Sequence, residues 1–159
     1  MRHVLIGPPV TIIAQAFDAL EMADIGVLAT SSIKASKPIG PSRRQYANAV
    51  AVIITALTPS ALLARLKMLE AHFGRRGGGQ RWAARSLDID IILWSGGRWT
   101  SSKPNLTIPH REWRYRYFVL EPAAEIAPNW RDPGSGCRIK HVLHRMKRAN
   151  RLDPRRTGN

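Results

Sequence analysis

The chain has 159 residues, 44% hydrophobic and 23% charged, enough for one domain with a single core and too few for two full domains. No apolar run reaches the ~18–20 residues of a membrane span, and the N-terminus lacks the basic region, apolar stretch and cleavage site of a signal peptide. The 25 Lys and Arg against 11 Asp and Glu give a net charge of +14, which points to a polyanionic partner: nucleic acid, a membrane surface or nucleotide phosphates.

Residues 3–7 (H-V-L-I-G) are a short apolar run able to form a strand. Between about Val10 and Glu21, the residues Val10, Ile13, Phe17 and Leu20 fall on one helical face. Residues 25–33 read as a second strand, ending in the turn-rich stretch Ser36-Lys37-Pro38-Ile39-Gly40-Pro41. Residues 46–55, rich in Val, Ile and Ala, read as a third. Thr58-Pro59 looks like an N-cap followed by Pro at the first helical position. Leu62, Leu66, Leu69 and Phe73 form the stripe of that helix, with Gly74 placed to end it.

Residues 75–85 hold glycine and arginine without an apolar period and read as a loop. Residues 86–94 alternate: Leu87, Ile89, Ile91 and Leu93 share one strand face, and Asp88 and Asp90 the other. A short strand is expected at residues 116–120, then Pro-bounded loops to about Pro133. Ile139, Val142, Leu143 and Met146 mark a final amphipathic helix. The domain is taken as residues 1–149, and 150–159 as a basic tail expected to be disordered. The first six elements read β-α-β-β-α-β, an α+β, ferredoxin-like order with helices on one face of an antiparallel sheet.

Two carboxylates separated by one residue on a strand lie roughly 6.5–7 Å apart on the same face. Asp88 and Asp90 can therefore bridge hard cations such as Mg²⁺ against nucleotide phosphates, or they form a solvated strand edge. Ile92 and Trp94, on that same predicted face, argue against simple exposure to water. The preceding loop carries Arg75, Arg76, Arg81 and Arg85 with three glycines and Trp82. Alone it is a flexible basic loop; leading into Asp-x-Asp, it gives cations beside metal-binding carboxylates, as a triphosphate requires.

Tyr46 and Asn48 project the same way from a predicted strand. A ring and an amide there can hold a flat heterocycle, or be a strand-start aromatic and a turn amide. Arg116 and Phe118 share the same spacing, so Phe118 is either an opposite wall or core. His110 either donates to a phosphate oxygen or is an ordinary loop histidine. His141 and His144 lack a carboxylate partner and are assigned no metal. The lone Cys137 excludes an intrachain disulfide and a cysteine zinc cluster and fits a reducing cytoplasm. Neither a Walker loop nor a Rossmann turn is present.

Several ordered segments together resemble the 6-hydroxymethyl-7,8-dihydropterin pyrophosphokinase family. They are S-K-P-I-G-P (36–41), Y-A-N-A (46–49), R-W-A-A-R-S-L-D-I-D-I (81–91), L-T-I-P-H (106–110), R-Y-F-V-L-E-P (116–122) and E-I-A-P (125–128). The resemblance implies a cytoplasmic folate-pathway enzyme that moves pyrophosphate from ATP to a pterin alcohol. By position, Asp88 and Asp90 resemble the ligands of two Mg²⁺ ions. Arg75, Arg85, His110 and Arg116 resemble phosphate-contacting cations, and Trp82 sits on the catalytic loop; Arg85, Trp82, Asp88 and Asp90 are the implied catalytic set. Tyr46 and Phe118 match rings that sandwich the pterin, Asn48 an amide that reads its edge, and Pro38, Ile39 and Gly40 supply backbone hydrogen bonds. Glu70 falls at the family's acidic position and is given no catalytic role. No strong general base stands out; an aspartate or a bound water takes the proton.

Two departures are visible. The family's first strand ends in Gly-Ser-Asn, absent here, so that strand is expected to be degenerate or to lie upstream of Met1. Gly77 stands where the family commonly has a basic residue, with Arg76 as the substitute. The implied partners are small molecules, with no membrane and only nonspecific nucleic-acid binding, and the chain is expected to be a monomer or weak dimer. The alternatives are a truncated inactive homologue, suggested by the N-terminus, and a basic nucleic-acid-binding module, suggested by the Lys/Arg-rich residues 138–156. The strand signature of an RRM is missing.

Overall fold

The computed structural model describes residues 9–36, 46–75 and 87–152. Residues 3–7 and the tail from 153 lie outside them. Pro9, which needs no partner for a missing N–H, opens helix α1 (Pro9–Met22). Its buried side is Ile12, Ala16 and Leu20, with Phe17 half-buried and Val10 exposed, so the stripe is turned from the one suggested by sequence. The helix ends with Asp24 at φ 60°. Asp24 N–H donates to Glu21 O (3.2 Å) and Ile25 N–H to Leu20 O (3.1 Å). These paired bonds form a Schellman closure with Asp in the usual glycine place, and they turn the chain straight into strand β1 (Gly26–Thr30).

β1 pairs antiparallel with β4 (Ala51–Ile54), and β2 (Lys34–Ser36) with β3 (Tyr46–Asn48). The single strand expected over 46–55 is thus two strands with different partners. The break has a cause in buried Ser31, whose Oγ accepts the Val50 N–H at 2.9 Å in place of a ladder carbonyl. Helix α2 (Pro59–Arg75) starts as expected: Thr58 Oγ1 accepts from Ala61 N–H at 3.3 Å, and Leu62, Leu66 and Phe73 are buried. It runs through Gly74 to Arg75, because one glycine costs only about 1 kcal/mol in a helix of 17 residues. Arg75 accordingly ends a helix and does not begin the loop.

Residues 87–94 belong to no ladder among the described residues, contrary to the expected strand. They form a seam between three clusters. Leu87 packs on Ile12, Ala16 and Phe73; Ile89, Ile91 and Trp94 on Leu20, Ile25, Leu62 and Leu66; Ile92 and Leu93 on Trp113, Leu120 and Ile139. Ile92 and Trp94 therefore do not share an outer face with the aspartates. An unexpected hairpin follows, β5 (Trp99–Ser102) with β6 (Asn105–Ile108).

The strand expected at 116–120 is the start of helix α3 (Tyr117–Ile126). Y-F-V-L has strand character taken alone, but Val119, Leu120 and Ala123 bury at helical spacing. Arg116 O accepts both Val119 N–H and Leu120 N–H at 3.0 Å, which opens the helix. Helix α4 (Ile139–Leu152) packs on α3 and on the 3₁₀ turn Trp113–Tyr115 through Ile139, Val142, Leu143 and Met146, and extends past Asn150. The described residues thus form an α+β fold of four α-helices and three two-stranded antiparallel sheets. The expected single ferredoxin-like sheet is not formed among them, and none of their helices is long and apolar enough to cross a membrane.

The loop before α4 is wound around one carboxylate. Asp132 is fully buried and accepts from Arg114 Nε (2.9 Å) and Nη2, Gly134 N (2.9 Å), Ser135 N (3.2 Å) and Ser135 Oγ (2.6 Å). A Cβ at Gly134 would lie 2.8 Å from Arg114 Nη2, so a larger residue there would displace the guanidinium from Asp132. Burial pushes the Asp132 carboxyl up, but the bonds to Arg114, Ser135 and Gly134 outweigh it and hold the pKa at about 2. The sign follows: the depressed pKa stabilises the fold above the ordinary value of roughly 4, and that contribution is lost as pH falls through about 2. Thermal melts from pH 5 to pH 2 should show the wild type losing stability faster than Asp132→Asn. At neutral pH, Asp132→Ala should cost on the order of 3 kcal/mol by stranding Arg114.

Candidate active site

Helix α2 faces the seam with Leu63, Lys67 and Glu70. The Glu70 side chain is only 10% exposed, yet its carboxylate is satisfied. Oε1 accepts the Ile89 N–H at 2.7 Å, and the two oxygens accept from Lys67 Nζ at 2.9 and 2.8 Å. Lys67 Nζ also lies 3.6 Å from Asp88 Oδ1. Burial pulls the Lys67 pKa down, but the bond to Glu70 and the charges of Glu70, Asp88 and Asp90 together raise it above its ordinary value.

Because Leu87, Ile89 and Ile91 turn inward, Asp88 and Asp90 turn out, with side chains 59% and 41% exposed. Asp90 Oδ2 stands 3.6 Å from Arg116 Nη1 and 3.7 Å from His110 Nε2. The His110 backbone N–H donates to Ile92 O at 3.0 Å, which ties the histidine to the seam. Its Nδ1 accepts Glu112 N–H at 3.2 Å, so the neutral ring carries its proton on Nε2, toward Asp90. Three predicted site residues thus come together, Asp90 from the seam, His110 after β6 and Arg116 at the start of α3, while Asp88 faces Lys67 of α2.

Asp90, His110 and Arg116 line a cavity of about 480 Å³ that also takes in Leu63 and Lys67 of α2, Asn105 to Thr107 of β6, Arg111 and Glu112. Among the described residues no group of three or more His, Cys, Asp or Glu side chains could hold a metal ion alone. Two exposed carboxylates still fit Mg²⁺, which keeps several waters and binds through one or two carboxylates plus substrate phosphates. The Lys67 ammonium, drawn into the field of three carboxylates, marks the spot as attractive to a cation.

The other predicted wall lies across the β2–β3 hairpin and α3. Tyr46 and Asn48 pair with Ser36 and Lys34, and the Tyr46 ring is 55% exposed. Phe118, 49% exposed, sits in the first turn of α3 with the Arg116 guanidinium 5.9 Å from its ring centre, so it belongs to a helix and not to a strand or the core. α3 is tied to the hairpin and its approach. Glu125 accepts Ser32 N–H and Oγ–H, both at 2.8 Å, and Glu121 pairs with Lys34 at 3.3 Å while accepting Tyr117 OH at 2.6 Å. The Tyr117 bond, opposed by burial and aided by Lys34, lowers the Glu121 pKa, and the Ser32 bonds lower that of Glu125.

Pro38, Ile39, Gly40, Trp82 and Arg85 lie outside the described residues, as do Arg76 and Arg81. Sequence reasoning missed Lys67 and the wall from β6, and gave Glu70 no task. A Lys–Glu pair three residues apart beside the apolar stripe of α2 was the signal for the first. The alternation Asn105-Leu106-Thr107-Ile108 was the signal for the second.

Residues 5–128 match the family described as 7,8-dihydro-6-hydroxymethylpterin-pyrophosphokinase (HPPK). The chain is 37% identical over 142 residues to the 2-amino-4-hydroxy-6-hydroxymethyldihydropteridine pyrophosphokinase of Synechocystis sp., covering 89% of this chain and 71% of that protein. It is 38% identical over 132 residues to the enzyme of that name from Haemophilus influenzae, covering 82% and 81%. A 30% identical stretch of 136 residues also matches a folate synthesis bifunctional protein of Chlamydia trachomatis, 80% of this chain and 30% of that longer protein. With carboxylates, cations and a cavity gathered on the matched stretch, the conclusion is direct: the chain belongs to the 7,8-dihydro-6-hydroxymethylpterin-pyrophosphokinase family.

Proposed function

We propose that Asp88, Asp90, His110 and Arg116, with Arg75, Trp82 and Arg85, carry the pyrophosphokinase reaction of this chain in folate biosynthesis. The reaction moves pyrophosphate from ATP to 6-hydroxymethyl-7,8-dihydropterin. The hydroxymethyl oxygen attacks the β-phosphorus in line, the bond from that phosphorus to the α,β-bridging oxygen breaks, AMP leaves, and the hydroxyl proton passes to an aspartate or a water. Positioning and charge neutralisation dominate such chemistry. The single observation that carries the assignment is Asp90 flanked by Arg116 at 3.6 Å and His110 at 3.7 Å on the wall of one cavity.

His110 and Arg116 hold the phosphates, and Asp90 orients both side chains before the nucleotide arrives. Asp88 and Asp90 would hold the two Mg²⁺ ions, which neutralise phosphate charge when bound. Tyr46 and Phe118 sandwich the pterin, Asn48 reads its edge, and Pro38, Ile39 and Gly40 add backbone contacts. The ties from α3 to Ser32 and Lys34 support this slot by fixing the helix of Phe118 against the hairpin of Tyr46.

We extend the proposal to the fold: α1 and α2 cover one face of β1 and β4 in a ferredoxin-like βαββαβ order. Its support is that α1, α2, β1 and Ile89 share one apolar cluster. Residues 1–149 are read as one domain, monomeric or weakly dimeric. The exposed basic residues of α4, among them Lys140, Arg145 and Arg148, bind nucleic acid only through charge.

An assay of AMP release with ATP, Mg²⁺ and the hydroxymethyl pterin tests the reading, and pterin-independent or absent AMP release would refute it. Asp90→Ala should lower kcat on the order of 10³-fold with the fold intact; near-normal turnover would remove the metal assignment. Tyr46→Ala should weaken pterin binding ~10–100-fold, from the ~1–3 kcal/mol that stacking on a flat heterocycle contributes, and leave ATP binding nearly unchanged by calorimetry.

A further inference from the structure

Glu70 lies outside the set assigned above, yet it touches the site at two places. The Ile89 peptide joins the two aspartates, so its orientation sets where both carboxylates point. An N–H in such a part-buried place needs a partner, and the seam has no ladder among the described residues to supply one. Glu70 Oε1 supplies it at 2.7 Å. The same carboxylate accepts from Lys67 Nζ at 2.9 and 2.8 Å, and that ammonium stands 3.6 Å from Asp88. Glu70 is itself fixed, with its side chain 10% exposed on a helix clamped by Leu66 and Phe73.

We propose that Glu70 is a positioning residue for the Asp88–Asp90 pair: it pins the intervening Ile89 amide and holds Lys67 against Asp88 until a metal ion arrives. The inference rests on the assignment of those aspartates as metal ligands. Mg²⁺ requires near-ideal octahedral contacts at about 2.0–2.1 Å, so a swing of the Ile89 peptide would spoil the pair without removing either ligand. Glutamine keeps the carbonyl acceptor for Ile89 and loses the charge facing Lys67, whereas alanine loses both.

The test uses the full chain with α,β-methylene-ATP and Mn²⁺, reading free Mn²⁺ by electron paramagnetic resonance. Glu70→Ala should raise the Mn²⁺ dissociation constant about tenfold or more, and Glu70→Gln should restore it to within about threefold of wild type. Amide hydrogen exchange on the unaltered chain is the second arm, and Ile89 should be protected. Rapid exchange at Ile89, wild-type Mn²⁺ affinity in Glu70→Ala, or equal losses in both variants would each overturn the proposal. A wild-type chain that binds no Mn²⁺ with the nucleotide would instead overturn the metal assignment, and this inference with it.

Discussion

The stretch from Leu87 to Trp94 must satisfy three apolar clusters at once. Leu87 serves one cluster, Ile89, Ile91 and Trp94 a second, and Ile92 and Leu93 a third, so the segment cannot slide by one residue without pulling isoleucine out of the core and pushing aspartate in. A buried apolar side chain contributes roughly 1.5–3 kcal/mol, and an unpaired carboxylate forced into such surroundings costs more. The outward aim of Asp88 and Asp90 is therefore enforced by hydrophobic packing and not by the acids themselves. Backbone bonding completes it, with Ile89 N–H going to Glu70 and Ile92 O accepting from His110.

Electrostatics follow from that constraint. In a chain of net charge +14, the seam presents an acidic island, and every acid in it faces a cation. Asp88 faces Lys67, and Asp90 faces Arg116 and His110 at 3.6–3.7 Å. These separations exceed hydrogen-bond length, and the partners are partly exposed, so each pair contributes only about 0–1 kcal/mol. Partners held this loosely exchange at small cost.

Much of this was legible in the sequence, and the failures have physical causes. The alternation of residues 87–91 revealed which side chains face out, although no ladder is formed there among the described residues. Burial follows the apolar pattern; hydrogen-bond partnership depends on neighbours that the pattern does not name. Residues 46–55 looked like one strand because β-propensity says nothing of a serine hydroxyl, 19 positions upstream, taking the Val50 N–H. Residues 116–120 looked like a strand because five residues are too few to separate period 2 from period 3.6, and the deciding alanine lies at 123. Asp90, His110 and Arg116 were nameable one by one, but only the fold makes them neighbours. Lys67 gave no sign beyond a helical Lys–Glu spacing, and its approach to Asp88 spans two elements.

The ties between α3 and the hairpin carry a consequence for how this protein can vary. Glu121 and Glu125 lie one helical turn apart on α3 and look outward, where substitution is ordinarily free. Here both reach across to Lys34 and Ser32. The solvent side of α3 is therefore not spare territory: drift at either glutamate would loosen the helix that carries Phe118 from the segment of Ser32 and Lys34.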